Sequence, residues 1–304
     1  MKLRAVSMLC LLCAACPKPV PAPVDAGCQP GAGKPQQVVF GGSRPVTLSV
    51  PSDYDGACPS PLLMVLHGYG TAGVLEQEYL GLTALVEGRG VLMVAPDGTR
   101  DASGNAFWNV GIDACCNFDG STVDDVKYLS DLLAEIRSVY NVDARRIFVV
   151  GHSNGGFMAH RLACERSSEI SAFVSLAGNL GQAIACRPAV PVSVLQIHGD
   201  RDTTVLYDGG TDILGKGGGP YAGALESVER WASDDGCAST WTAGTPIDLE
   251  STLAGAETAV STFDACPAGT EVSLWTIQGG GHIPAVGGRF PGLVWRWLDA
   301  HARP

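Results

Sequence analysis

RRIFVVGHSNGGFMAHRLACE, residues 145–165, decides how this chain is read. It opens with a short β-branched apolar run, 147–150, of the kind found in strands buried on both faces of a sheet. The run breaks at Gly151-His152-Ser153-Asn154-Gly155, and from Gly156 to Glu165 the apolar residues recur at helical spacing. A strand, a glycine-flanked serine and a helix in direct succession make the G-x-S-x-G elbow, which raises a serine hydroxyl above the sheet with a helix N-terminus beneath it. The competing reading is a serine that only caps the helix starting near Gly156. Strand before and helix after favour the nucleophile.

Outward from the elbow, further short apolar runs lie at 62–66, 91–95, 173–176, 192–197 and 272–277. Helical patterns fill the gaps at 74–87, 123–140, 221–233 and 291–300, while 37–40 and 46–50 around a Gly-Gly-Ser turn read as an antiparallel hairpin. Alternation of strand and helix predicts a doubly wound α/β fold of one domain, with a mostly parallel sheet and right-handed crossovers. Ligands in such sheets sit at the carboxyl ends of the strands. Those ends read His67-Gly68-Tyr69-Gly70, Pro96-Asp97-Gly98, the elbow, His198-Gly199-Asp200-Arg201-Asp202 and Gly279-Gly280-Gly281-His282.

A serine hydroxyl needs an adjacent base, itself oriented by a carboxylate, and on this fold the chain order is serine, acid, histidine. Of six histidines, His67 precedes the serine, His160 lies in the following helix, His198 comes before the acid and His301 lies in the tail. His152 adjoins the serine and is expected to point away across the elbow. His282 remains as the base. For the acid, the 198–205 turn offers two carboxylates: Asp202, further out, is favoured, Asp200 being placed to bond turn amides, with Asp208 and Asp212 next in line. Oxyanion donors are expected from the backbone N–H of Asn154 and of Tyr69. Trp108 is a candidate for the pocket wall, whereas Trp295 and Trp297 on the final helix read as core.

The chain has 304 residues, 46% hydrophobic and 17% charged, with a net charge of −11. Such a balance supports a sizeable core and, lacking a basic stripe, excludes a nucleic-acid surface. Residues 1–16 carry Lys2 and Arg4 ahead of a short apolar segment, the layout of an export signal. Its end, Cys13-Ala14-Ala15-Cys16, also fits an imperfect lipobox, so lipidation of Cys16 and plain secretion stand as alternatives. A Pro-rich tether, 17–35, leads to a catalytic domain at 36–304. Setting aside Cys10, Cys13 and Cys16 from the eleven cysteines leaves eight, an even set that suits disulfides in an exported chain, though composition assigns none of the pairings.

Beyond these physical readings, LHGYG (66–70), PDG (96–98), FWN (107–109), CCN with VDDVKYL (115–129), YNVDARRIFVVGHSNGG (140–156), RLACE (161–165), IHGDRDTTV (197–205) and GGGH (279–282) occur in order. In these the chain resembles the bacterial esterase family that groups polyhydroxybutyrate depolymerases with feruloyl and acetylxylan esterases. The resemblance implies an α/β-hydrolase fold and a serine esterase with Ser153, Asp202 and His282 as nucleophile, acid and base. It further implies an ester substrate, hydrolysis through an acyl-enzyme without a cofactor, and disulfides Cys237–Cys266 and Cys164–Cys186. The chain is expected to act as a monomer. One departure is His282-Ile283-Pro284, where many relatives have H-x-W-P. A serine peptidase on the same fold and a non-catalytic cell-envelope binding lipoprotein are the alternative readings.

Overall fold

In a computed structural model of the chain, each apolar run identified above becomes a strand, because continuous β-branched and aromatic sequence satisfies a position covered on both faces. The structure describes Cys28, Gly31 and residues 33–111, 115–182, 186–213 and 215–304; the expected export segment with Cys16 and most of the tether lie outside these. The strands are β1 (Val39–Phe40), β2 (Val46–Ser49), β3 (Ser60–Leu66), β4 (Leu92–Val94), β5 (Thr99–Arg100), β6 (Ala106–Phe107), β7 (Val142–His152), β8 (Ala172–Leu176), β9 (Ser193–Gly199), β10 (Trp241–Ala243), β11 (Thr258–Phe263) and β12 (Val272–Ile277). The helices are α1 (Gly73–Tyr79), α2 (Ala84–Arg89), α3 (Asp125–Val139), α4 (Asn154–Glu165), α5 (Ala224–Asp235) and α6 (Phe290–Ala300).

Among the described residues, one sheet runs in the order β1-β2-β4-β3-β7-β8-β9-β12-β11-β10. From β4 to β12 all pairings are parallel, and the expected hairpin of β1 and β2 joins this block antiparallel through β4. Residues of α3, α4 and α5 pack in the core on one face of the sheet and those of α2 and α6 in the core on the other. Trp295 and Trp297 belong to the second core, as expected, Trp295 meeting Phe148 edge to face at 5.9 Å. Each such side chain contributes roughly 1.5–3 kcal/mol by leaving water.

Three expectations need correction. The single helix expected over 74–87 is two, α1 and α2, because Gly81 takes a left-handed φ of 65° between them. The helix after the serine begins at Asn154, earlier than expected, so no residue separates it from the elbow. The antiparallel extension β11–β10 beyond β12 was not expected: Trp241 is exposed and its strand has three residues, too few for a clear alternation. The eight cysteines that follow the export segment are all paired, as Cys28–Cys58, Cys115–Cys116, Cys164–Cys186 and Cys237–Cys266, the first of these tying the tether to the domain. Two of these are the pairs that the family resemblance implied.

Candidate active site

Ser153 occupies the turn from β7 into α4 with φ 53° and ψ −121°, a conformation costly for a residue with a Cβ. Ser153 N–H donates to Leu176 O on β8 at 2.8 Å, fixing the turn to the neighbouring strand. Its flanking glycines are sterically required. A Cβ on Gly151 would lie 2.1 Å from Gly155 O, and one on Gly155 would lie 2.0 Å from Leu66 O. The sequence thus selects glycine where strand and helix meet, and the result is a hydroxyl raised toward the cavity on a closely packed turn.

His282 stands on the loop after β12. Its Nε2 is 2.9 Å from Ser153 Oγ, and its Nδ1 is 2.7 Å from Asp202 Oδ2. Asp202 is buried on the loop after β9, and its Oδ1 also accepts from the N–H groups of Thr204 and Val205. Asp200 bonds instead to the Gly279 amide at 2.6 Å, bracing the histidine loop without reaching the ring. Asp208 and Asp212 have no part in the trio. Burial alone would raise the Asp202 carboxyl, but hydrogen bonds and charge from His198 and His282 outweigh it and hold the group ionised far below the usual carboxylate range. The His282 imidazole lies below its ordinary value, chiefly through burial, with Asp202 opposing and His152 and His198 adding to the depression.

Behind Asp202 runs a buried hydrogen-bond chain that the sequence did not signal. Trp231 Nε1 donates to His160 Nδ1 at 2.9 Å, and His160 Nε2 donates to Gln196 Oε1 at 3.0 Å. Gln196 Nε2 donates to His198 Nδ1 at 3.2 Å, which leaves His198 Nε2 as the donor to Val205 O at 2.9 Å and to Asp202 Oδ2 at 3.2 Å. Burial pushes His160 down to about 4, in keeping with a neutral ring that accepts from Trp231. His198, set aside in the sequence as a base, is therefore a second donor to the acid.

The loop after β3 closes the site from the other side. A Cβ on Gly68 would be 3.4 Å from that of Ser153, and Tyr69 lines the cavity in front of the serine. Among the described residues the Tyr69 N–H has no acceptor, and Asn154 N–H, at the first position of α4, has none within its helix. The Asn154 side chain accepts from Trp108 N–H at 2.7 Å and donates to Trp108 O at 3.0 Å. Trp108 itself does not form a pocket wall. It is fully buried, donates from Nε1 to His67 O at 3.1 Å and lies tilted against the His67 ring with centroids 5.1 Å apart, so it braces the loop from behind.

His152 also departs from expectation. Its ring does not point away across the elbow but lies against the His282 ring with centroids 5.3 Å apart, in the wall of the same cavity. That cavity, about 450 Å³, is lined mainly by apolar and aromatic groups including Leu75, Tyr79, Cys116, Ile213 and Ile283 around Ser153 and His282. Among the described residues, no group of three or more His, Cys, Asp or Glu side chains is arranged to hold a metal ion.

A hydroxyl, an imidazole and a carboxylate joined in this order at the carboxyl edge of a parallel sheet define an α/β-hydrolase, and known proteins agree. Acetyl xylan esterase from Aspergillus awamori superposes with a TM-score of 0.59 at 14% identity, covering 84% of this chain and 94% of that one, a likeness of fold. A family profile described as a PGAP1-like alpha/beta domain matches residues 105–209. Feruloyl esterase C of Emericella nidulans is 30% identical over 202 residues, covering 63% of this chain and 68% of that protein. Feruloyl esterase B of Piromyces equi is 30% identical over 250 residues, 80% of this chain but 43% of the other, so this chain spans less than half of that longer protein. The chain belongs to the feruloyl esterase family of α/β-hydrolases.

Proposed function

We propose that this chain is an exported serine carboxylic ester hydrolase that forms an acyl-enzyme on Ser153 and acts on polysaccharide-linked or short-chain esters, feruloyl esters foremost. The observation that carries the reading is the continuous line from Ser153 Oγ through the His282 ring to Asp202, with links of 2.9 and 2.7 Å, opening on an apolar cavity. His282 Nε2 takes the Ser153 proton as Oγ attacks the ester carbonyl, while Asp202 holds the ring in the tautomer that leaves Nε2 free to accept it. The N–H groups of Tyr69 and Asn154 stabilise the oxyanion that develops, each donor contributing about 10²–10³ in rate in comparable sites. Protonated His282 then returns its proton to the departing alcohol. Water, deprotonated by the same ring, attacks the acyl-serine; as the tetrahedral intermediate collapses the ring returns that proton to Ser153 Oγ, and the carboxylic acid leaves.

The cavity volume and its walls of Tyr69, Tyr79, Leu75 and Ile283 suit a planar aromatic acyl group better than a strongly charged one. The names of the feruloyl esterase relatives point the same way. Four disulfides support an oxidising compartment for the mature chain. Intact-mass measurement of that chain distinguishes a lipidated Cys16 from an unmodified cleaved terminus.

Labelling with a fluorophosphonate tests the chemistry: folded protein should acquire one adduct, on Ser153, and Ser153→Ala should acquire none. No adduct on folded wild-type protein would sink the hydrolase reading. A panel of methyl ferulate, acetylated xylan and hydroxybutyrate oligomers, with a peptide anilide beside them, ranks the acyl groups and separates esterase from peptidase.

A further inference from the structure

The x of G-x-S-x-G, His152, is buried and has an oxygen acceptor on each side of its ring. Nε2 lies 3.0 Å from the carbonyl oxygen of His282, and Nδ1 lies 3.3 Å from Glu76 Oε1 on α1. Glu76 is itself only 3% exposed, and its other oxygen accepts from Gly68 N–H at 3.2 Å. A carbonyl only accepts, and so does an ionised carboxylate. A neutral imidazole can satisfy one of them and must turn a lone pair toward the other. A ring carrying two protons donates to the His282 carbonyl and sets its second N–H and its charge 3.3 Å from Glu76 Oε1, a buried oxygen without a hydrogen-bond partner among the described residues.

We propose that His152 and Glu76 form a second acid–imidazole pair, in which an imidazolium ring clamps the loop bearing His282 and, by its charge, keeps the His282 base deprotonated into the mildly acidic range. The pair also ties together the two loops that flank the nucleophile, since Glu76 holds Gly68 while His152 holds His282. Both are positioning residues, and their proposed role rests on the esterase reading above. The groups facing His152 are Glu76 and Tyr79 from α1, His282 from the loop after β12 and, at longer range, Asp202 from the loop after β9. Those facing His282 are Asp202, His198 and His152. Burial alone would push His152 down, yet the hydrogen bond and charge of Glu76, with the His282 carbonyl and Asp202, outweigh it and raise the ring above its ordinary value. A positive neighbour at this distance opposes protonation of His282.

The test is the pH dependence of kcat/KM for a chromogenic short-chain ester, measured for wild type, His152→Gln and Glu76→Gln. The glutamine of His152→Gln keeps an amide donor toward His282 O but removes the cation, so the acid limb should move up by about one pH unit, and the rate at pH 5 should fall about tenfold more than at pH 8. Glu76→Gln removes the carboxylate and with it the reason for the second proton, and should shift the limb the same way but less, because both charges of the pair go. Variants active at pH 8 with acid limbs superimposed on that of wild type would overturn the proposal. Should either variant fail to fold, nitrogen-15 histidine NMR of wild-type protein at pH 7 reads the same point: one buried ring with both nitrogens protonated is expected, and six rings without such a signature would overturn it. Wild-type protein that neither hydrolyses esters nor labels at Ser153 would refute the esterase reading instead, and the NMR signature would still report on the pair.

Discussion

Replacing Asp202 with asparagine separates orientation from packing, because the two side chains have nearly the same shape. In the folded protein Asp202 Oδ1 accepts from Thr204 and Val205 N–H, and Oδ2 accepts from His282 Nδ1 at 2.7 Å and His198 Nε2 at 3.2 Å. The asparagine of Asp202→Asn keeps its oxygen on the two turn amides and must then present an NH₂ group to two ring N–H groups. His198 can fall back on Val205 O, which it already contacts at 2.9 Å. His282 has no second acceptor at Nδ1 and is expected to move its proton to Nε2, where it blocks removal of the Ser153 proton. The loss in kcat should therefore approach the cost of the wrong tautomer in comparable triads, about 10⁴, or about 5 kcal/mol of transition-state stabilisation. Asp200→Asn is the matched control: its oxygen still accepts from Gly279 N–H, it touches no ring, and the rate should stay within about threefold. Both are read as kcat on a chromogenic short-chain ester, with thermal unfolding to show that each variant is folded. A folded Asp202→Asn within tenfold of wild type, or an Asp200→Asn equally impaired, would refute the assignment.

Two other outcomes concern stability. Asp235, near the end of α5, is buried with Oδ1 on Val192 N–H and Oδ2 without a partner, and burial pushes its carboxyl up to about 7. The folded-state value lies above the unfolded one, so wild type is relatively most stable below pH 4 and loses that advantage as pH rises to 7; Asp235→Asn should match wild type near pH 4 and exceed it by roughly a few kcal/mol above pH 7 in denaturant titrations. Trp231→Phe leaves His160 Nδ1 without its donor inside the core, and should cost about 1–3 kcal/mol in unfolding free energy with kcat/KM unchanged within about threefold.

The central sheet and the serine–histidine–aspartate trio were legible because each rests on local chemistry: β-branched runs for the strands, glycines where a Cβ would clash, and chain order for the partners. Asp202 was favoured over Asp200 because it lies further out in the turn, but the sequence left both open until the folded loop put one on the His282 ring and the other on the Gly279 amide. What stayed hidden depends on residues distant in sequence. Glu76 lies within an ordinary helical pattern and acquires its role only where α1 packs beneath the Gly68 loop. Gln196 and His160 sit 36 positions apart and read as polar interruptions of apolar elements until the fold joins them. Trp108 was misread for the converse reason: an aromatic beside a strand end serves a wall or a brace equally well until its neighbours are known. The short strand β10 carried no periodicity long enough to read.

In the chain from Trp231 to His198 every link donates toward the acid, and the Gln196 amide in its middle relays no proton, so the line has a fixed direction and no vacancy. Reversing it would require Gln196 to turn its amide end for end against Gly178 O, which its Nε2 holds at 2.7 Å. On the proposed mechanism, the proton that His282 would take from Ser153 meets no free acceptor along this chain. Its outlet would be Nε2, on the cavity side of the ring, so in the proposed reaction the folded core would act as a check valve on the direction of proton flow.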